Sequence, residues 1–202
     1  MSRENASYRG KRLFDLILLS ISNVLLFPLL LLAVVTLSIL IKLEDRGPVL
    51  YTQKRIGLNG KVFNLYKFRS MKVNAEQLTG PVLSSQFDQR QTNIGTFMRK
   101  RALDEIPQLY NLWNGDMSIV GPRPERPELV EKIIEDLPEF IARQTVKPGL
   151  TGLAQIRGKY SSDPGVKLMH DQAYIHNMTP MVDIKIILES VYRTVSGKWN
   201  NM

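Results

Sequence analysis

The feature that most constrains this chain is a stretch of 26 residues, 16–41, without one charged side chain. A helix needs roughly 20 apolar residues to cross a bilayer, so this run is long enough. It is too long for a secretory signal's apolar region of about 7–15 residues, and no small-x-small cleavage pattern follows it. A buried core helix seldom stays uncharged over such a length. Pro28 lies near the middle, with Ser20, Ser22 and Asn23 just before it. Proline removes a helical hydrogen bond and clashes with the preceding turn, and in lipid the freed carbonyls need such polar neighbours. The residues leave two readings open. One is a kinked span. The other is a re-entrant helix broken near Pro28, whose halves of about 14 residues reach only about 21 Å and return to the same face. Cations flank both ends: Arg9, Lys11 and Arg12 before the run, Lys42 and Arg46 after it. The positive-inside rule therefore lets both ends be cytoplasmic.

The remainder reads as α/β, mostly helical with a small β-hairpin. The expected division is a membrane segment over 1–45 and one compact domain over 46–202. Segments 48–55 and 61–69 are rich in β-branched and aromatic residues, and Gly57-Leu58-Asn59-Gly60 between them is a hairpin turn. Residues 74–92 are polar, contain Gly80-Pro81 and read as a loop. Near the C-terminus, Ile184, Ile187, Leu188, Val191 and Val195 form one helical stripe. Core packing is its expected job, with rest on a bilayer surface as the alternative.

The formal net charge is +8, which points to an anionic partner. Within residues 46–110 there are eleven Lys or Arg against four Asp or Glu. The chain has no cysteine and two histidines, which excludes disulfides, thiol nucleophiles and thiolate metal sites, and disfavours a histidine zinc site. No dinucleotide fingerprint, P-loop or Ser/His/Asp arrangement is present.

Four motifs carry candidate chemistry. In Arg99-Lys100-Arg101-Ala102-Leu103-Asp104-Glu105-Ile106-Pro107, Pro107 suits a first helical turn and places Asp104 near the N-cap, with Gly115 ending the helix. A carboxylate there stays ionised beside free N–H groups and can act as a nucleophile or a magnesium ligand. The three upstream cations can hold phosphate beside it. In Tyr66-Lys67-Phe68-Arg69, a strand would present Lys67 and Arg69 on one face as a phosphate clamp. In Gly121-Pro122-Arg123-Pro124, two prolines stiffen the backbone around one arginine. Lys147-Pro148-Gly149-Leu150-Thr151-Gly152 reads as a Gly/Pro turn. Each of these also has an ordinary structural explanation when taken alone.

Together they resemble the monotopic phosphoglycosyl transferases, bacterial sugar transferases that start lipid-linked glycan assembly. The resemblance rests on Lys11-Arg12-Leu13-Phe14-Asp15, the uncharged run with its proline, and Lys67-Phe68-Arg69-Ser70-Met71. It continues through Leu103-Asp104-Glu105-Ile106-Pro107-Gln108-Leu109, Gly115-Asp116-Met117-Ser118, Gly121-Pro122-Arg123-Pro124 and Pro148-Gly149-Leu150-Thr151-Gly152. These occur in family order over nearly the whole chain, and the length resembles the family's minimal catalytic unit. There are departures. The usual Asp-Glu-Leu-Pro has Ile106, Phe27 stands where Ser or Thr often precedes the membrane proline, and Arg157-Gly158-Lys159 resembles the longer members.

The resemblance implies transfer of a sugar-1-phosphate from a UDP-sugar to polyprenyl (undecaprenyl) phosphate, with release of UMP. It implies Asp104 as the nucleophile that forms a covalent phosphoenzyme and as a ligand of Mg2+, with Glu105 beside it. It assigns phosphate-binding positions to Lys67, Arg69, Arg99 and Arg123, and a further acidic position to Asp183. It favours the re-entrant helix, amphipathic interfacial helices, the cytosolic face of the inner membrane and both termini cytoplasmic. The product would feed exopolysaccharide, O-antigen, capsule or glycoprotein glycan assembly. Membrane lipids are expected partners, a homodimer is expected, and nucleic acid is not. A membrane-anchored basic module that binds anionic lipid or nucleic acid is the competing class, but no nucleic-acid fold signature accompanies the charge. A scaffold relative that binds lipid carrier without turnover is the third.

Overall fold

The computed structural model describes residues 7–75, 88–158 and 163–199. Lys159 and residues 76–87 of the 74–92 loop, Gly80-Pro81 included, lie outside the described residues. The fold is mostly helical with two small sheets, as the sequence leads one to expect. Helix α1 (Lys11–Glu44) leads into strands β1 (Leu50–Ile56) and β2 (Val62–Phe68). Then come α2 (Asn93–Lys100), a 3-10 helix (Leu103–Gln108), α3 (Leu109–Asn114) and β3 (Ser118–Val120). The chain closes with α4 (Pro127–Asp136), a second long 3-10 segment (Pro138–Thr145), β4 (Gly149–Thr151), α5 (Leu153–Arg157), α6 (Pro164–His176) and α7 (Pro180–Ser196).

The expected hairpin forms. β1 and β2 pair antiparallel with Ile56 opposite Val62, and Asn59 and Gly60 take the positive φ values of 54° and 81° that the reversal requires. The sequence reading misses the second sheet. Gly149-Leu150-Thr151, expected as part of a turn, is a short strand parallel to β3.

Helix α1 is about 50 Å long at 1.5 Å per residue. Among the described residues it is the one helix long and apolar enough to cross a membrane, with an 18-residue window of mean hydropathy 3.0 that is only 11% buried. That exposure excludes a core helix. Where a break was expected near Pro28, the helix runs through without interruption. Proline costs one hydrogen bond there, which a bend in an otherwise intact helix can absorb. The burial pattern is end-weighted. Lys11, Asp15 and Leu19 are buried, as are Leu37 and Ile41, but residues 24–29 are all exposed. Leu19 packs with Phe63, Leu65, Leu112 and Met117, while Leu37 and Ile41 pack with Phe68 and Met98. Both ends of the helix therefore sit on the same body of the protein, and its middle stands clear.

Polar contacts fix those ends. Lys11 Nζ lies 3.0 Å from Asp15 Oδ1 and 2.8 Å from Asp183 Oδ2, all three side chains buried. The hydroxyls of Tyr8 (2.9 Å) and Tyr174 (2.8 Å) also donate to Asp183, and Ser118 Oγ donates to Asp15 at 2.7 Å. Arg12 donates to the carbonyls of Leu112 (2.7 Å) and Trp113 (2.9 Å), so α1 caps the C-terminus of α3. Lys11 and Arg12, counted as flanking cations in the sequence, are thus engaged inside the fold. At the other end, Glu44 accepts from Asn93 N (2.7 Å) and Ile94 N (3.0 Å), capping α2 with an anion at its positive pole.

The C-terminal stripe corrects the sequence reading. The inward face of α7 is Asp183, Ile186 and Ser190. Leu188, Val191 and Val195 are exposed, as are Met181 and Tyr192 beside them, and only Ile187 joins the core as a partly buried member. The packing contacts that α6 and β3 need fall one position away from the most apolar stripe, so that stripe faces outward.

Asp183→Ala leaves Lys11 facing one carboxylate and the Tyr8 hydroxyl without its acceptor, while the Tyr174 hydroxyl keeps only the Val120 carbonyl, at 3.1 Å. We expect a loss of about 3 kcal/mol, the low end for breaking a buried ion pair. Urea denaturation in non-ionic detergent measures it, and a loss below about 1 kcal/mol would mean that the network contributes little.

Candidate active site

The site forms where the C-terminal end of β2 meets the 3-10 helix after α2. Ala102 precedes that helix with φ 51° and ψ 25°, a left-handed conformation that costs a non-glycine residue about 1–2 kcal/mol. It turns the chain sharply out of α2 and sets Asp104 and Glu105 in the first turn of the 3-10 helix. The sequence places Asp104 near a helix N-terminus correctly. The cap itself falls on Ala102, and Pro107 sits late in the 3-10 helix, just before α3. Gly115 ends α3 at φ 82°, as expected.

Glu105 is the hub. Its Oε1 accepts from Lys67 Nζ at 2.8 Å and from Arg123 Nη2 at 2.6 Å. Burial would raise its carboxyl, but Arg123 and Lys67 outweigh burial and hold it well below the usual range. Asp104 is 5% exposed. Burial pushes its carboxyl up, the neighbouring Glu105 adds to this, and Lys67, Arg99 and Arg123 oppose it without cancelling it. Arg99 is held by a bond from its Nε to Ser70 Oγ at 2.9 Å. Three cations thus converge on two carboxylates, which leaves a local excess of positive charge suited to a phosphate group.

Of the residues expected from sequence, Lys67, Arg99, Arg123, Asp104 and Glu105 come together. Arg69 and Asp183 do not. Arg69 lies just past β2 and turns to Asp45, bonding its carboxylate at 3.2 Å and also its carbonyl. It is 6% exposed and fastens the chain leaving α1. Lys67 and Arg69 do not form one clamp, because Lys67 reaches Glu105 while Arg69 is held by Asp45. Asp183 is enclosed by Tyr8, Lys11 and Tyr174, none of which belongs to the Asp104 cluster.

Several supporting residues were not legible in the sequence. Gly95 lets α2 lie against β2's end: a Cβ there would meet Ser70 O at 1.9 Å, so only glycine allows the approach that seats Arg99. Asn111 is wholly buried and acts as a piece of strand. Its Oδ1 accepts from Tyr66 N at 3.2 Å and its Nδ2 donates to Asn64 O at 2.7 Å. An asparagine inside the apolar run Leu109-Tyr110-Asn111-Leu112 is the one signal that could have found it.

Among the described residues no group of three or more His, Cys, Asp or Glu side chains gathers to hold a metal. The donor set at the cluster is Asp104 and Glu105. That fits Mg2+, which is commonly bound by one or two carboxylates plus substrate phosphates and water rather than by a full protein cage.

Residues 6–197 match the family described as bacterial sugar transferase. The chain is 37% identical over 190 residues to UDP-N-acetylgalactosamine-undecaprenyl-phosphate N-acetylgalactosaminephosphotransferase of Aeromonas hydrophila, covering 93% of this chain and 44% of that protein. It is 39% identical over 196 residues to undecaprenyl-phosphate glucose phosphotransferase of Komagataeibacter xylinus, covering 93% and 36%. It is 39% identical over 188 residues to UDP-glucose:undecaprenyl-phosphate glucose-1-phosphate transferase of Caulobacter vibrioides, covering 90% and 68%. The chain spans less than half the length of the first two.

The raised carboxyl of Asp104 generates a stability prediction. It protonates more readily in the folded chain than in the unfolded one, so its ionisation costs stability as pH rises through the folded value. Below the ordinary carboxylate value of about 3.9 it is neutral in both states and the cost disappears. Asp104→Asn should therefore melt above the wild type at pH 7.5, with the gap closing as pH falls toward 4. Each 1 kcal/mol relieved reads as about 2–4 °C. An unchanged or lower melting point at pH 7.5 would contradict it.

Proposed function

Given that the chain belongs to the bacterial sugar transferase family, we propose that it transfers a sugar-1-phosphate from a UDP-sugar to undecaprenyl phosphate through a covalent intermediate on Asp104. The observation that carries the reading is the convergence of Lys67, Arg99 and Arg123 on a buried Asp104-Glu105 pair. A phosphoryl transfer asks the protein chiefly for positioning and for stabilisation of charge on the phosphate oxygens. The three cations supply both.

In this scheme a carboxylate oxygen of Asp104 attacks the phosphorus that bears the sugar. The Asp104 O–P bond forms, the bridging P–O bond breaks, and UMP departs with the electron pair. A phosphate oxygen of the lipid then attacks the same phosphorus and displaces Asp104 as a carboxylate. Glu105 holds Lys67 and Arg123 in place before the donor arrives. Burial keeps Asp104 weakly solvated, which favours attack once it is ionised, and the cations offset its charge. Mg2+, bound by Asp104 with Glu105 nearby, would neutralise diphosphate charge.

The membrane reading is a re-entrant α1 with both ends on the cytosolic face. A straight rod laid on a convex body touches it at its middle, whereas α1 touches at both ends and is exposed through residues 24–29. Pro28 lies in that clear stretch, where a bend is needed. The outward stripe of Met181, Leu188, Val191 and Val195 on α7 suits the bilayer interface beside it. Such a placement sets the cluster between a cytosolic donor and a lipid headgroup.

Two experiments test this. Purified protein in detergent, given Mg2+, undecaprenyl phosphate and a panel of UDP-sugars, should release UMP with at least one donor, and Asp104→Asn should lose at least about 10³-fold of that rate. Release at the wild-type rate by the variant would remove Asp104 from the nucleophile's role. Since the chain has no cysteine, single cysteines placed at Arg9 and at Arg46 can be labelled in sealed inner-membrane vesicles. Both should react from the cytosolic side, and reaction of only one would make α1 a span.

A further inference from the structure

The loop that carries Arg123 is fixed in a particular way. Pro122 and Pro124 have no N–H, so this loop can be held only sparingly through donors of its own. Instead, four consecutive carbonyls each accept a bond from elsewhere. Pro122 O accepts from Gly149 N at 2.9 Å and Glu125 O from Ile56 N at 3.0 Å. Between them, Arg123 O accepts from Arg143 Nη2 at 2.9 Å and Pro124 O from Arg55 Nη1 at 3.0 Å. The outer two donors are backbone groups that the fold provides. The inner two are side chains, and they grip the carbonyls of the arginine itself and of its neighbour.

Arg143 is the better defined of these. It comes from the 3-10 segment Pro138–Thr145, is 7% exposed, and lies over the Phe140 ring at 4.5 Å. Its Nε donates to Asp171 Oδ2 at 2.6 Å, and Asp171, on α6, is 1% exposed. A buried ion pair of this kind seldom out-stabilises apolar packing of the same volume, so its presence calls for another reason. The reason visible here is orientation. One nitrogen of the fork is fixed on Asp171, which aims another at Arg123 O. Lysine has no such fork. On the far side of the same residue, the Arg123 guanidinium reaches Glu105 at 2.6 Å.

We propose that Arg143, held by Asp171, is a positioning residue that fixes Arg123 through its carbonyl and so sets where the donor's diphosphate is gripped. This rests on the proposed function. It assigns a role in the site to two residues that touch neither Asp104 nor Glu105.

The test is a double-mutant cycle. Arg143→Lys and Asp171→Asn are made singly and in the Arg123→Ala background, with folding checked by circular dichroism. Asp171→Asn, which keeps the side chain's shape, serves if Arg143→Lys does not fold. In the otherwise wild-type chain each should lower kcat/KM for the UDP-sugar about tenfold, chiefly through KM. In the Arg123→Ala background each should change it less than about twofold, a coupling of at least ~5-fold. Equal losses in both backgrounds overturn the inference, because a merely structural role penalises both alike. A wild type that turns over no UDP-sugar would instead count against the proposed function. The same cycle is then read by calorimetric titration with magnesium pyrophosphate, where Arg143→Lys should weaken binding only when Arg123 is present. A wild type that binds no pyrophosphate in that arm overturns the inference as well.

Discussion

A carboxylate without access to water must find its donors inside the chain. Asp183 finds them at Tyr8, Lys11 and Tyr174, which belong to segments far apart in sequence. That one group ties the foot of the apolar helix to α6 and α7. Lys11 extends the tie to Asp15, and Ser118 brings in β3. Arg12, one residue along, caps the helix that follows the candidate nucleophile. The polar contacts that set the N-terminal end of α1 against the rest of the fold begin at this network. Removing Lys11, or both of its carboxylate partners, would strand a charge where water cannot reach it.

The far end of the same helix is fastened by a different device. Glu44 caps α2, and α2 carries Arg99. Arg69 holds Asp45 just beyond it. Both ends of α1 are therefore fastened to elements that flank the charged cluster, α3 at one end and α2 at the other. A helix held at both ends and clear through its middle is in this way fixed relative to Asp104. The cluster itself is rigid for related reasons: Asn111 stitches α3 to β2, Gly95 admits α2 against Ser70, and the Arg123 loop is held by its carbonyls.

Much of the fold was legible. The hairpin followed from its turn residues, because Asn59 and Gly60 are types that tolerate positive φ. The end of α3 followed from Gly115 for the same reason. Five of the seven expected site residues gather in one place. Arg69 and Asp183 do not, and both outcomes share a cause. Motif position says that a charged residue matters, but not whether it meets a ligand or a partner in the core. The strand β4 and the burial of Asn111 were equally hidden, since a three-residue parallel pairing and a side chain standing in for a strand leave no periodic trace. The α7 stripe misled because apolar periodicity marks a face without saying what covers it.

The sequence by itself determined the apolar helix and its proline, the hairpin, the helical character of the C-terminal part and the family. These depend on local composition, on spacing along the chain and on motifs read in order. Tertiary structure alone decided which carboxylates are sealed and which face the cluster, that both ends of α1 rest on one body, and that Arg143 and Arg55 hold the Arg123 loop. Those outcomes turn on which groups meet after the chain has closed. The cost of burying a charge is set by its partners in space, and no spacing in the sequence records them.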